Sequence, residues 1–426
     1  MMTTESETGK DERLETHPCY CEGAHKKFAR MHIPVAPKCN IQCNYCNRKY
    51  DCMNESRPGV TSVVLSPEEA VTKIRYVKEK VPNLSVIGIA GPGDPLANDE
   101  TFEALEKVHE EFPDLTLCMS TNGLNLPKYV DRLWELNVKF MTVTMNAVDP
   151  EVGKDIYDFV IWEGKTLRGK EAADRLIRNQ LEGIERAVKL GMYVKVNTVF
   201  IPEINGKHIP EIAKKVKELG AYISNILPLI PVPGTKFENM RAPTPKERRE
   251  LQNLCEVDIK QMRHCKMCRS DAIGLLGRDR SKEFATIPCG QCEPEPAEDL
   301  EPMEKKDSYK VAVASSEGEL VDLHFGQAST FYTFDVESGA VIPRVTIDVD
   351  NYEEIPMFGE AHTSKLEKTA DALTDFDIVV AEEFGHRAID ELKNHNIFSF
   401  KAKGNIIDGV KRAAELLHDD KTEEFE

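Results

Sequence analysis

The sequence predicts an α/β protein: a partial, six-unit (β/α) barrel followed by a smaller α/β domain. Three observations carry this expectation. Between residues 31 and about 265, short apolar segments alternate with helix-like ones, the pattern of a parallel sheet with right-handed crossovers. Residues 293–307 then hold three prolines and seven acids, the composition of an extended linker. Directly after it, Tyr309-Lys310-Val311-Ala312-Val313-Ala314 starts a second α/β stretch of ordinary domain length.

In chain order, residues 1–30 form a polar segment, read as irregular, that carries Cys19 and Cys21. The barrel, with a distal cysteine extension, spans 31–292, the linker 293–307 and the final domain 308–426. Strands are expected at 31–36, 84–90, 115–120, 138–145, 192–200 and 222–229, each short and apolar and several rich in Val and Ile. Helix-like stretches include 67–80, 99–111, 174–190 and 208–219. Ser66-Pro67-Glu68-Glu69 reads as an N-cap, then proline at the first helical position and acids in the first turn. Six units favour a partial barrel over a closed eightfold one, and no internal repeat is visible.

Acidic residues outnumber basic ones, 73 to 55 in 426, which favours neither nucleic acid nor an anionic membrane as a partner. The opening Met1-Met2-Thr3-Thr4-Glu5-Ser6-Glu7 lacks an apolar signal core, and no later run approaches a membrane span. A cytoplasmic, monomeric protein is expected. In that reducing setting twelve cysteines are ligands more readily than disulfides. None occurs after Cys292, and a disulfide framework would not stop where the final domain begins.

The most informative feature is Cys39-Asn40-Ile41-Gln42-Cys43-Asn44-Tyr45-Cys46. Three thiolates this close can hold three irons of a [4Fe–4S] cube and leave the fourth iron open. A structural zinc site would want a fourth protein ligand. In a barrel of this type chemistry sits at the carboxyl ends of the strands, and the marked residues fall there. Cys39 follows the first strand. Gly91-Pro92-Gly93-Asp94-Pro95 follows the second, where Gly91 and Gly93 would let backbone approach a ligand's amino group. Thr121 and Asn122 end the third strand, Asn146 ends the fourth, and Asn197 lies within the fifth. Each amide could bond a ligand carboxylate or ribose, although Asn at a strand end is as readily a turn or cap residue.

The cysteine run, with Tyr45 before its last cysteine, resembles the signature of radical S-adenosylmethionine (SAM) enzymes, in which the open iron chelates SAM. The 91–95 loop resembles their Gly-Gly-Glu-Pro element, with Asp94 where Glu is commoner. A longer match covers residues 17 to about 285. His17-Pro18-Cys19, Met31-His32-Ile33-Pro34-Val35-Ala36-Pro37, the block from Cys39 to Cys52, Asn54-Glu55-Ser56-Arg57-Pro58-Gly59, and the distal stretch from His264 to Gly274 resemble the NifB family of nitrogenase cofactor assembly.

That resemblance implies three [4Fe–4S] centres, one binding SAM and two serving as substrate modules. One SAM methylates a cluster sulfide and a second supplies a 5′-deoxyadenosyl radical, so that the carbon ends as the carbide of an [8Fe–9S–C] precursor. It implies His32, Cys52 and Cys118 as ligands of one module and Cys19, Cys265 and Cys268 as ligands of the other. Cys255 is a possible fourth ligand or a helix-packed thiol. Glu55 and Arg57 would serve proton handling or SAM contact. Cys21 is read as incidental, and Cys289 and Cys292 have a chelating spacing without a role. Implied partners are an iron–sulfur assembly donor, an electron donor, and a downstream carrier or maturation scaffold. The final domain, with Val321-Asp322-Leu323-His324-Phe325-Gly326, resembles NifX/NafY-type carrier domains of ribonuclease-H-like fold. His324 is its one soft ligand candidate, or else a turn histidine beside Phe325. The rival readings are another radical SAM enzyme with auxiliary clusters and a non-catalytic iron–sulfur scaffold.

Overall fold

Six parallel strands lie side by side in chain order: β1 (Ala29–His32), β2 (Leu84–Ile89), β3 (Thr116–Thr121), β4 (Val138–Thr144), β5 (Tyr193–Phe200) and β6 (Ile223–Pro228). The computed structural model describes residues 11–52, 61–285, 308–337, 339–358 and 360–418. Contacts divide the chain into two units, Met1–Pro243 with Glu247–Cys292, and Thr244–Lys246 with Glu293–Glu426.

The first strand is shorter than its apolar run because Pro34 and Pro37 have no N–H to give a ladder. Each crossover carries a helix, among them α1 (Pro67–Lys80), α2 (Glu100–Glu111), α3 (Leu126–Glu135), α4 (Gly169–Lys189) and α5 (Ile209–Glu218). The Ser66 hydroxyl accepts from the Glu69 N–H at 3.2 Å while the Glu69 carboxylate accepts from the Ser66 N–H at 2.7 Å, a capping box that fixes where α1 begins. Period-two alternation then divides the sheet. Leu117, Met141, Val143, Val194 and Val196 pack with Ile74, Leu105, Val130 and Ile184 of the helices. Their neighbours Cys118, Thr142, Thr144, Lys195 and Asn197 line cavities on the other face.

Two additions flank the parallel strands. Strand β7 (Ile273–Leu275) pairs antiparallel with β1, Met31 opposite Ile273, and β8 (Arg278–Asp279) pairs with β7. The N-terminal segment, read as irregular, contains a helix, Glu12–Thr16, and a well-packed turn. Tyr20 is fully buried, its hydroxyl donates to the Met141 carbonyl at 2.8 Å, and its ring meets Phe140 edge-on at 4.9 Å. Aromatic packing supplies the order that a polar composition hides.

The second unit is built on β9 (Ser308–Ala314), with β10 (Thr330–Glu337), β11 (Ala340–Pro343), β12 (Ile378–Ala381) and β13 (Phe398–Lys401). Numbered within the unit, the sheet order is 3-2-1-4-5; strands 1, 4 and 5 are parallel, while strand 2 is antiparallel to both 1 and 3. Leu366, Leu373 and Leu392 cover one face, and Val410 and Ala413 the other. This three-layer α/β arrangement is the ribonuclease-H-like type expected from the sequence. Among the described residues, no helix is long and apolar enough to cross a membrane.

Candidate active site

After β1 the chain turns into a short strand, Ile41–Cys43, which pairs antiparallel with Tyr157–Trp162 and sets Cys43 opposite Tyr157. The Gln42 amide donates to the carbonyls of Cys43 at 3.0 Å and Cys46 at 2.8 Å, and the Cys46 N–H donates to the Cys43 carbonyl at 3.0 Å. These bonds curl the loop so that Cys39, Cys43 and Cys46 line one cavity with Arg48, Asp94, Thr121 and Asn122. Burial first, then the Asp94 charge, pushes the Cys39 thiol up to about 11. Burial, then the Cys46 and Cys39 sulfurs, raises Cys43 well above the usual thiol range. Neutral when bare, these thiols need the positive charge of a metal centre to ionise. Among the described residues, no three Cys, His, Asp or Glu side chains converge as they would on one ion. The sulfurs instead line a cavity, and three thiolates from so short a loop suit a [4Fe–4S] cube with one open iron.

Asp94 stitches this lining together. It is 3% exposed, and its carboxylate accepts from the Thr121 hydroxyl at 3.0 Å, the Asn122 N–H at 2.6 Å and the Leu96 N–H at 3.0 Å. Burial lifts its carboxyl to about 6 despite those bonds. The Asn122 amide in turn donates to Asn40 at 2.7 Å and approaches the Cys39 sulfur at 3.8 Å. Packing requires both glycines, and Gly93 in addition lines the three-cysteine cavity. A Cβ on Gly93 would stand 2.1 Å from the Lys38 carbonyl oxygen, and one on Gly91 2.6 Å from the Ser270 hydroxyl. Protein packs against both bare faces. Asn146 lines neither cavity: fully buried, its amide donates to the Tyr45 hydroxyl at 2.8 Å and its carbonyl oxygen Oδ1 accepts from the Val199 N–H at 2.8 Å. It props the cysteine loop through Tyr45.

A second cavity lies on the inner face of the sheet. Cys19, His32, Cys118, Cys265 and Cys268 all line it, together with Lys195 and Asn197. Four distant stretches of chain thus deliver five soft donors to one place. The β1–β7 pairing brings the distal motif beside His32, and the Tyr20 anchor holds Cys19. His32 Nδ1 donates to the Arg269 carbonyl at 2.9 Å, which leaves the Nε2 lone pair on the other edge of the ring. Burial, then Arg30, lowers its pKa to about 4, so the imidazole is neutral, the form that ligates. Burial pushes Cys19 up to about 11, with Lys195 opposing. Arg30, 2% exposed, donates from Nη2 to the Cys268 sulfur at 3.1 Å. Two buried cations beside four thiols describe a site built for an anionic guest.

Cys52, expected with His32 and Cys118, lines the first cavity. Cys255 ends the helix Pro245–Cys255, is fully buried in the hydrophobic core and lines neither cavity; burial pushes its thiol up to about 11. It is the helix-packed thiol of the two alternatives, because apolar neighbours surround it. Glu55, Arg57, Cys289, Cys292 and the linker 293–307 lie outside the described residues.

The model of the radical SAM superfamily matches residues 33–216, and that of the dinitrogenase iron-molybdenum cofactor domain matches residues 307–416. The FeMo cofactor biosynthesis protein NifB of Frankia alni is 42% identical, over 88% of this chain and 82% of that one. Its counterpart in Klebsiella pneumoniae is 41% identical, over 91% and 87%. The chain belongs to the NifB family. Among solved structures, Streptococcus suis SuiB bound to S-adenosylmethionine matches at a TM-score of 0.40 with 13% identity, over 55% of this chain and 50% of that one, too remote to add to the argument. As a NifB-family member the protein is a radical SAM enzyme of FeMo cofactor biosynthesis, and the superfamily implies a [4Fe–4S] cluster and SAM.

In the last unit of this NifB-family chain, His324 caps a one-turn 3₁₀ helix, Phe325–Gln327, with Nδ1 accepting from the Gly326 N–H at 3.0 Å. Lys365, 2% exposed, fixes the same turn by donating to the Gly326 carbonyl at 2.9 Å and the Ala328 carbonyl at 3.2 Å.

Three site residues escaped the sequence reading. Gly88 makes room for the imidazole, since a Cβ there would sit 2.9 Å from His32 Cδ2. A glycine inside an apolar strand is the signal that could have found it. Lys195, alone between Val194 and Val196, and Arg30, alone between Ala29 and Met31, are charges in strand patterns that leave them no solvent.

Proposed function

We propose that the barrel fuses two [4Fe–4S] substrate modules, with a SAM-derived carbide and an added sulfide, into an [8Fe–9S–C] precursor, and that the final domain carries the product. One observation supports this above the others: Cys19, His32, Cys118, Cys265 and Cys268 share one cavity inside the sheet, flanked by Lys195 and Arg30. We assign Cys19, Cys265 and Cys268 to one module. His32 and Cys118 go to the other, with Cys52 from the neighbouring cavity as its third ligand. The resident cluster at Cys39, Cys43 and Cys46 supplies, when bound, the electron that splits SAM.

Each residue then has a task. Asp94, Thr121 and Asn122 fix the wall on which SAM rests. His32 gives a neutral lone pair, a ligand without charge that a departing product can shed. Lys195 and Arg30 offset the negative charge of the modules in a site of low dielectric. Glu55 and Arg57 are proposed to contact SAM or move protons. An iron–sulfur assembly donor loads the modules, an electron donor reduces the SAM site, and a downstream carrier or scaffold takes the product from the His324 region, all in the cytoplasm with the protein as a monomer.

The test is to incubate anaerobically reconstituted, reduced full-length protein with SAM and to measure products, iron and acid-labile sulfide. The reading expects both S-adenosylhomocysteine and 5′-deoxyadenosine and an eight-iron product. Loaded protein that forms neither compound is a scaffold, and 5′-deoxyadenosine alone would point to other radical chemistry.

A further inference from the structure

Two residues, Ala90 and Ser120, line both cavities. Their position follows from the ladder. Ile89 of β2 is in register with Met119 of β3, so the next residue of each strand stands beside the other at the carboxyl ends. Both are nearly buried, at 5% and 8% exposure, and both side chains are small. On the inner face, Gly88 lies two positions before Ala90 and Cys118 two before Ser120. Of the inner cavity's soft donors, Cys118 shares a strand with Ser120, and His32 lies over Gly88. One position beyond Ser120, Thr121 belongs to the wall of the three-cysteine cavity. Ala90 and Ser120 thus stand at the boundary between the two spaces.

We propose that Ala90 is a specificity-setting residue of the reaction, its small side chain keeping open the crossing by which a methyl group passes from SAM to a sulfide held in the inner cavity. The inference rests on the methyl-transfer reading above. In the step, a sulfide lone pair forms the new S–C bond and the sulfonium C–S bond breaks, its electron pair leaving on S-adenosylhomocysteine; no electron or proton is added. Such a displacement needs the reacting atoms about 3–3.5 Å apart. A branched side chain at residue 90 would occupy the crossing and replaces none of the cysteines, His32 or the residues of the Asp94 network.

The experiment compares full-length, anaerobically reconstituted wild type with Ala90→Gly, Ala90→Val and Ala90→Leu. Four quantities are read: iron content, the change that SAM makes in the electron paramagnetic resonance (EPR) spectrum of the three-cysteine cluster, S-adenosylhomocysteine, and 5′-deoxyadenosine. Iron and the SAM-induced change should match wild type in all variants. S-adenosylhomocysteine should fall tenfold or more in the Leu variant, less in Val and not at all in Gly, while 5′-deoxyadenosine continues by uncoupled cleavage. Should the Leu variant not fold, Val carries the test. A loaded Leu or Val variant within twofold of wild type in S-adenosylhomocysteine overturns the proposal. So does loss of the SAM-induced change, which would make Ala90 part of the SAM-binding wall. Loaded wild type that makes no S-adenosylhomocysteine removes the methyl-transfer reading itself, and the crossing with it.

Discussion

The imidazole of His32, at the end of the first strand, donates to the carbonyl oxygen of Arg269, 2.9 Å away and 237 residues later. This bond fixes the ring plane and tautomer and ties the first strand to the segment that carries Cys265 and Cys268.

Gly88 holds the other side of that ring. A methyl group there would meet His32 Cδ2 at 2.9 Å and Nε2 at 3.3 Å, so Gly88→Ala should twist the imidazole and lower iron content as far as His32→Ala does. The SAM cluster should survive in both. Overpacking of this kind costs about 1–3 kcal/mol. Iron analysis and a thermal melt check it, and full wild-type iron in Gly88→Ala would contradict the assigned role of the ring.

Replacing Cys39, Cys43 and Cys46 together by Ala should remove the SAM cluster and both SAM-derived products, since these sulfurs line one cavity. Persistent 5′-deoxyadenosine from the triple variant would sink the assignment.

The variant lacking Cys19, Cys265 and Cys268 should keep the SAM-cluster EPR signal and lose about one module's iron. These three side chains face the inner cavity and none lines the other. Unchanged iron by anaerobic analysis would refute the grouping.

Burial lowers the pKa of Lys365 from 10.5 to about 8. Between those two values the unfolded chain holds a proton that the folded chain has lost, so stability rises with pH from about 8 to 10.5. The full span is worth on the order of 3 kcal/mol. Denaturant titrations of the full chain should show the rise in wild type and its absence in Lys365→Met; parallel curves would exclude Lys365 as its source.

A chain ending at Glu298 should keep SAM turnover and lose product retention. The candidate ligand cysteines all precede that residue, and a tethered domain otherwise acts at an effective concentration of about millimolar. Retention of the eight-iron product by the shortened chain, measured after desalting, would argue against a carrier.

The parallel strands were legible because buried strands read as short apolar runs between helical stretches, and β1 fell short of its run because Pro34 and Pro37 break the ladder. Strand β7 was not legible, as three residues carry no periodicity. The soft donors could be named from the sequence, yet their grouping could not be read from spacing alone: Cys52 shares its cavity with the SAM cysteines. Asn146 looks like a ligand contact in one dimension. Only its tertiary neighbour Tyr45 gives it its work.

The parallel sheet is open, and its inner cavity is completed by segments outside the ladder: the turn holding Cys19 and the stretch holding Cys265 and Cys268. On the proposed reading, the pieces that complete the vessel are also the pieces that would grip its contents. A guest bound there would stabilise the completed form by mass action, and its departure would withdraw that support. Filling and completion would then be a single equilibrium, with the cargo a structural member of the wall for as long as it stays.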